Sequence, residues 1–229
     1  MKVPFLHILT LVLVMSFSLS AHATEAKTAY KAFTANPDGR TAFAYLHKVA
    51  VHPRCANCHG VVEEGIHRPT VGDERSLHPM NISMLNNIRL SVENGEFVQT
   101  GNPHPVNCRS CHQNANSDEP GMPPGASNNL MPGFIWHMPP PTMAIPRDLS
   151  AQTLCKTWLD PAKNSFLAFR GGLDQMDVFK KEFIHHVKDD PLVRWAWAPG
   201  PGRTPAPGTH SDFVKAMKLW IQEGVPCPQ

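Results

Sequence analysis

Apolar residues recur at helical spacing near the start of the chain. The stretch Thr24–Val51 predicts two helices divided at Asn36–Gly39, because an Asn-Pro-Asp-Gly sequence is a strong turn signal. A third helix is predicted over Asn81–Glu93, where apolar residues fall at mixed helical spacing before Asn94 and Gly95. The pattern therefore favours a mainly α fold.

The end of the chain shows the same periodicity. It predicts three helices, which run from Ser150 to Trp158, from Asp174 to Lys188 and from Ser211 to Glu223. Ser150 and Ser211 are suitable N-caps, and Gly224 is a suitable stop. In the last helix an apolar stripe predicts a core-facing surface made of Phe213, Met217, Trp220 and Ile221.

The segment 120–146 has a different character, with eight prolines and four methionines in 27 residues. Proline excludes regular secondary structure across most of it. One interpretation is a disordered proline-rich linker. The favoured interpretation is an extended, ordered segment, because Phe134, Ile135, Trp136 and Ile145 are costly to leave in water.

The first 23 residues have the pattern of a secretory signal peptide. They contain an early Lys2, an apolar run from Ile8 to Leu19 and a small-residue end at Ala21–Ala23. We expect cleavage after Ala23, a periplasmic protein of residues 24–229, and no membrane span after cleavage. A retained membrane anchor is the second choice, because the apolar run is shorter than the roughly 20 residues that a span requires.

The charge of the expected mature chain is nearly balanced. Removal of Lys2 leaves 20 basic and 19 acidic residues. This balance gives no electrostatic argument for a nucleic acid partner or for an anionic membrane surface.

Four of the six cysteines lie in two CxxCH units, CANCH and CRSCH. This pattern is the attachment signature of c-type haem, in which two thiols bind the haem and the following histidine ligates iron. The alternatives are a four-cysteine zinc site, a thioredoxin-like dithiol and two local disulfides. The zinc site and the disulfides leave both histidines unexplained, and no βαβ pattern typical of a thioredoxin-like dithiol surrounds either unit. The sequence thus predicts two covalently attached haem c groups, held by Cys55, Cys58, His59, Cys108, Cys111 and His112.

The two remaining cysteines are Cys155, in a predicted helix, and Cys227, just past the last helix. In an exported protein a disulfide between them is expected. Two buried free thiols are the alternative.

The predicted haems define the expected architecture. Helices of a cytochrome c-like kind, with the long proline-rich segment wrapped over haem, make a haem region of about 24–146. A C-terminal helical region of about 147–229 completes a single dihaem domain. On the second predicted helix, Phe43, Leu46, Val49 and Ala50 are placed to lie on the first haem.

The sixth iron ligand separates an electron carrier from an enzyme. A methionine or second histidine closes the iron, whereas an open position admits a small substrate. Three residues near proline are the candidates: His78, His137 and Met122.

Eight stretches together resemble a bacterial family of exported dihaem c-type cytochromes. They are HPRCANCHG, SLHPMN, CRSCHQNAN, MPPG, WHMPPP, LCKTWLDPAKN, DPLVRWAWAPGPGRTPAP and WIQEGVPCP, and they cover most of the chain after residue 23. The resemblance implies that the CxxCH units, His78, His137 and His186 are shared positions. The segment SNNLMPGFI departs from the shorter spacing of the family, which affects the region between Met122 and His137.

Some family members carry a label that links them to a subunit of an isoquinoline 1-oxidoreductase. The resemblance therefore implies redox protein partners, either a molybdenum-containing dehydrogenase or another cytochrome. The leading functional hypothesis is a periplasmic carrier that passes electrons between such partners. The alternative is a dihaem oxidoreductase or peroxidase with one open haem site.

Overall fold

The computed structural model describes residues 24–83, 89–93, 96–100, 108–119, 121–126, 136–168 and 172–229, and these are mainly helical. The signal-peptide prediction, over residues 1–23, lies outside this part of the chain. A helix over 24–35 (α1) is followed by α2 (Gly39–Ala50) and α3 (Pro53–His59). The predicted break between the first two helices is confirmed.

The start of α2 explains that break. The Asp38 carboxylate accepts hydrogen bonds from the backbone N–H groups of Arg40 and Thr41, and the Thr41 hydroxyl oxygen accepts from the Asp38 N–H. This capping box satisfies N–H groups that the helix leaves without partners. The turn residues of the sequence thus become the N-terminal cap of α2.

Short antiparallel hairpins follow α3. Two of them pair β1 (Val61–Glu63) with β2 (Ile66–Arg68), and β3 (Thr70–Val71) with β4 (Ser76–Leu77). A 3-10 turn over Pro79–Asn81 follows β4.

The predicted helix over Asn81–Glu93 is wrong. The described part of that stretch contains β5 (Arg89–Glu93), which pairs with β6 (Glu96–Thr100), and residues 84–88 lie outside the described ranges. Glu93 pairs with Glu96, so two residues connect the strands. Those residues are Asn-Gly, which is the strongest signal for a two-residue hairpin connection. The apolar spacing of this stretch is irregular, so it does not distinguish a strand from a helix.

The proline-rich segment contains little regular structure where it is described. In the ranges 121–126 and 136–146 there is one 3-10 turn, Pro141–Met143. Trp136 and Ile145 are buried, at 7% and 3% exposure, as expected for an ordered segment. Phe134 and Ile135 lie outside the described residues.

The C-terminal region is helical, as predicted. Its elements are α4 (Ala151–Leu159), α5 (Ser165–Ala168), α6 (Gln175–Val178), a π-helical turn (Phe179–Phe183), α7 (Ile184–Asp189), α8 (Pro191–Trp195) and α9 (His210–Gln222). Ser150 caps α4, as predicted. The cap of α9 is Thr209, not Ser211, because the Thr209 hydroxyl oxygen accepts the Asp212 N–H at 3.1 Å and donates to the Asp212 carboxylate at 2.7 Å.

The main hydrophobic core joins the two ends of the described chain. Helix α2 packs on α9, and the Phe43 ring contacts the rings of Trp158 and Trp220 at centroid distances of 5.7 and 5.1 Å. The predicted apolar stripe of α9 is buried in this core. The proposed haem region and the C-terminal region therefore share apolar packing.

This packing corrects the expectation that one face of α2 lies on the first haem. Phe43, Leu46 and Val49 are at most 1% exposed, and Ala50 is 5% exposed. Neighbouring protein side chains cover them, so they offer no surface to a cofactor.

A disulfide joins Cys155 to Cys227, which confirms that prediction. Cys155 is fully buried in α4, and Cys227 packs against the main core after α9. The bridge thus ties the end of the chain to α4. Across the described ranges, every helix is too short or too polar to cross a membrane.

Candidate functional site

The first CxxCH unit forms α3. His52 is the N-cap and Pro53 occupies the first helical position, where its missing N–H costs no hydrogen bond. The helical spacing of three places Cys55 and Cys58 on one face of α3. Burial raises the pKa of each thiol to about 12, so both are protonated at neutral pH.

His59 ends α3 with a fixed ring orientation. Its Nδ1 donates to the Met143 carbonyl oxygen at 2.7 Å, which leaves the Nε2 lone pair available. Burial lowers the pKa of His59 to about 4, so the ring is neutral at neutral pH. A neutral imidazole with one nitrogen engaged by a carbonyl is the form that ligates a metal.

The second CxxCH unit repeats this arrangement with another local structure. Cys108 begins a 3-10 turn, Cys108–Ser110, and His112 donates from Nδ1 to the Pro124 carbonyl oxygen at 2.8 Å. Burial also lowers the pKa of His112. Both histidines thus bond to a carbonyl in the proline-rich segment and keep Nε2 for a ligand.

Two glycines permit the close approach of the backbone at these histidines. Gly60 follows the first unit with φ of 69°, and a Cβ there would overlap the Arg68 carbonyl oxygen. Gly125 follows the acceptor Pro124, and a Cβ there would overlap the Ala115 carbonyl oxygen. A larger side chain at either position would displace the backbone beside a candidate iron ligand.

A buried arginine fastens the proline-rich segment to α3. Arg75 is 6% exposed, and its guanidinium group donates to the carbonyl oxygens of Ala56 and Ile145. The Ile145 N–H also donates to the Gly60 carbonyl at 3.1 Å. These bonds fix the chain two residues after Met143, which is the acceptor for His59.

The two CxxCH units lie close together. The ionised form of Cys108 would raise the pKa of Cys58, although burial has the larger effect on that thiol. Arg54, beside Cys55, pairs with Asp73 and lies 5.9 Å from the centroid of the Trp195 ring. Trp195 belongs to a small buried cluster against which Cys108 packs.

That small cluster also holds the second histidine. The Trp136 ring stacks on the His112 ring at a centroid distance of 4.5 Å and an angle of 17°, and it contacts Trp195 at 6.2 Å. The Trp195 indole N–H donates to the Asn116 side-chain oxygen at 2.9 Å. These contacts restrict the rotation of the His112 ring.

The three candidates for the sixth ligand occupy different positions. The His78 ring lies 6.2 Å from the His112 ring, and its Nδ1 donates to the Pro79 carbonyl oxygen at 2.8 Å. His137 lies near Asp190. Burial tends to raise the pKa of that carboxyl, the hydrogen bond from His186 lowers it, and a positive charge on His137 contributes to the lowering. Met122 is 49% exposed. His78 therefore adjoins the second CxxCH unit, although the first unit precedes it in sequence.

The structure also bears on the alternative interpretations of the cysteines. All four CxxCH cysteines are described, and none of them is part of a disulfide. Within the described ranges, no three His, Cys, Asp or Glu side chains are grouped to hold a metal ion, so a four-cysteine cage is not assembled. The described strands form antiparallel hairpins, unlike the βαβ context of a thioredoxin-like dithiol.

Several supporting groups were missed by the sequence reasoning. They are the acceptor carbonyls of Met143 and Pro124, the buried Arg54 and Arg75, and the carboxylate of Asp190. Backbone acceptors carry no side-chain signature, and the arginines are separated in sequence from their partners. Only the clustering of proline around both acceptors was a usable signal.

Comparison with known proteins adds no relative, since no family model, curated protein or solved structure matches this chain.

Proposed function

We propose that this protein is an exported dihaem c-type cytochrome that carries electrons in the periplasm. Two haem c groups are attached at the CxxCH units, with His59 and His112 as proximal iron ligands. One observation carries the proposal: both histidines donate Nδ1–H to a carbonyl of the proline-rich segment and keep Nε2 available. A four-cysteine zinc site or a dithiol would not require this arrangement of the histidines.

The residues at each unit fit covalent attachment. Each thiol would hold the haem by adding its S–H across one vinyl C=C bond, which would form a C–S bond, break the π bond and leave the hydrogen on the other vinyl carbon. No oxidant is needed, and the protonated thiols of Cys55 and Cys58 carry the hydrogen that is transferred. The bound haem iron supplies one-electron redox chemistry.

His78 is the proposed sixth ligand of the second haem. When two imidazole rings bind the same metal ion from opposite sides, each with a metal–nitrogen distance of roughly 2 Å, their ring centres are about 6 Å apart. The 6.2 Å separation of the His78 and His112 rings matches this value, and both rings have Nδ1 engaged by a carbonyl. A closed second iron supports electron transfer rather than substrate chemistry at that haem.

The closeness of the two CxxCH units supports transfer between the haems. Cys58 lies close enough to Cys108 that an ionised Cys108 would raise its pKa further, beyond the larger effect of burial, and Arg54 joins α3 to the cluster beside Cys108. The proline-rich segment, which supplies acceptors to both histidines, is proposed to wrap both haems. Redox proteins, either a molybdenum-containing dehydrogenase or another cytochrome, are the proposed partners.

Haem attachment is tested by expression of the full chain with a c-type haem-attachment system. The mass of the purified wild-type protein should contain two covalent haems. Cys58→Ala and Cys111→Ala should each lose stable attachment of one haem, whereas Cys227→Ser, outside the units, should retain two. A wild-type protein without covalent haem would refute the proposed function.

Electron transfer is tested on the same protein by optical and EPR spectra. Two low-spin irons that cycle between oxidation states and do not bind cyanide are the expected result. A high-spin iron that binds cyanide would instead place the dihaem oxidoreductase or peroxidase first.

A further inference from the structure

We propose that His186, oriented by Asp190, is the sixth ligand of the iron attached at Cys55, Cys58 and His59. This inference rests on the proposed function, because it requires a haem at that unit. It closes the first iron and so makes both haems suited to electron transfer. His186 thereby gains a defined role that its helical position alone would not suggest.

The orientation of His186 is set by a fixed carboxylate. His186 lies on α7, and its Nδ1 donates to Asp190 Oδ2 at 3.1 Å. Asp190 is 8% exposed and also accepts the Leu192 N–H at 2.8 Å as the N-cap of α8. A histidine whose Nδ1 is held by a carboxylate presents Nε2 as a basic ligand.

A chain of contacts connects His186 to the first unit. His59 bonds to Met143, and the hydroxyl of the preceding Thr142 donates to the Lys163 carbonyl at 2.7 Å. Phe166, three residues after Lys163, contacts the His186 ring at a centroid distance of 5.5 Å. The residues that hold His59 and those that contact His186 therefore belong to one continuous packed region.

Electrostatics agree with this placement from two directions. Burial is the main cause that lowers the pKa of His59, the hydrogen bond to Met143 opposes it, and a positive charge on His186 adds to the lowering. A negative charge on Asp190 raises the pKa of Cys58, although burial contributes more. The His186–Asp190 pair thus lies near both the histidine and the second cysteine of the first unit.

The accessible surface of its side chain distinguishes His186 from the buried residues of α2 and from His185. The His186 side chain keeps 29% of its surface accessible, so a ligand can reach it, whereas Phe43 and Leu46 have almost none. His185 forms the same kind of bond, to Asp189 at 3.0 Å, but its side chain is 56% exposed. His185 is therefore a matched control on the same helix.

His137 is the competing candidate, because it also lies near Asp190. It directly follows Trp136, which stacks on the proximal histidine of the second unit. The second unit already has His78 beside His112. The observations therefore favour His186 for the first iron, and His137→Ala tests the alternative directly.

The experiment compares His186→Ala, His185→Ala and His137→Ala as holoproteins. The mass must first contain two covalent haems, because a wild type without them refutes the proposed function rather than this inference. In His186→Ala half of the haem should become high spin by EPR, and added imidazole should restore the low-spin signal. His185→Ala and His137→Ala should match the wild type.

Three results would overturn the inference: a wild-type first haem that is already high spin, a fully low-spin His186→Ala, or a high-spin haem in His137→Ala. If His186→Ala does not fold, His186→Met decides the question. If His186 is a ligand, its replacement by methionine produces a haem with His–Met ligation and a raised reduction potential. If His186 does not bind iron, the substitution leaves the reduction potential unchanged. Asp190→Asn should remain low spin and raise the potential of one haem, because the ligand becomes less basic.

Discussion

The disulfide offers the most direct test of how the C-terminal tail stabilises the fold. The perturbation is Cys227→Ser, which breaks the bridge but leaves the fully buried Cys155 side chain in place. No core volume is removed, so the cavity cost of a large-to-small substitution is avoided. The measured effect should then come mainly from the cross-link.

The magnitude follows from the loop that the bridge closes. Cys155 and Cys227 are separated by 72 residues in sequence. The loop-entropy relation for that length gives a stabilisation of about 4 kcal/mol at 25 °C. For a protein of this size, such a change lowers the midpoint of thermal unfolding by about 8–16 °C.

The assay is guanidinium and thermal unfolding of the holoprotein with and without a thiol reductant. Thioethers to haem resist reductants, so in the wild type the Cys155–Cys227 bridge is the bond that the reductant breaks. Wild-type protein should lose about the same stability on reduction as Cys227→Ser has already lost, and the variant should not respond. A loss below about 1 kcal/mol in both comparisons would refute the loop-entropy reasoning.

Three further predictions concern local features. Burial lowers the pKa of His52 to about 4 from about 6.5 in the unfolded chain. Because the unfolded state binds the extra proton, the free energy of unfolding should fall by up to about 1.4 kcal/mol per pH unit as the pH decreases from roughly 6.5 to 4. His52→Asn retains a capping acceptor, and denaturant titrations of this variant should lack that part of the pH dependence. Thr209→Ala should cost about 1 kcal/mol by the same assay, because α9 loses its cap, whereas Ser211→Ala should cost much less. Gly125→Ala should perturb the EPR signal of the second haem and spare the first, because it displaces the backbone beside Pro124.

Local signals predicted the helices well and the hairpins poorly. The break before α2, the cap of α4 and the buried face of α9 depend on residues near one another in sequence, where capping and periodicity act. The stretch that forms β5 was misinterpreted, because its apolar spacing was irregular and its Asn-Gly also suits the end of a helix. Short-range patterns cannot decide such cases without the partner strand.

The sequence likewise identified the contiguous residues of the candidate site but not their distant partners. The CxxCH units are contiguous, so the sequence alone identifies Cys55, Cys58 and His59 as a group. The partners of the histidines come from distant positions: Met143 lies 84 residues after His59, and His78 adjoins His112 rather than the nearer unit. Tertiary packing, such as that of the proline-rich segment against the end of α3, brings such residues together.

The origin of the ligands determines how the two proposed haems would be controlled. The proximal acceptors Met143 and Pro124 belong to one proline-rich segment, whereas the proposed sixth ligands come from two other places, His78 after the short hairpins and His186 on α7. A displacement of the whole proline-rich segment should therefore affect both haems, whereas a local change beside one acceptor, or a change at either sixth ligand, should affect one. The two irons can then differ in potential while their proximal sides remain alike, which is the arrangement that directs electrons from one haem to the other.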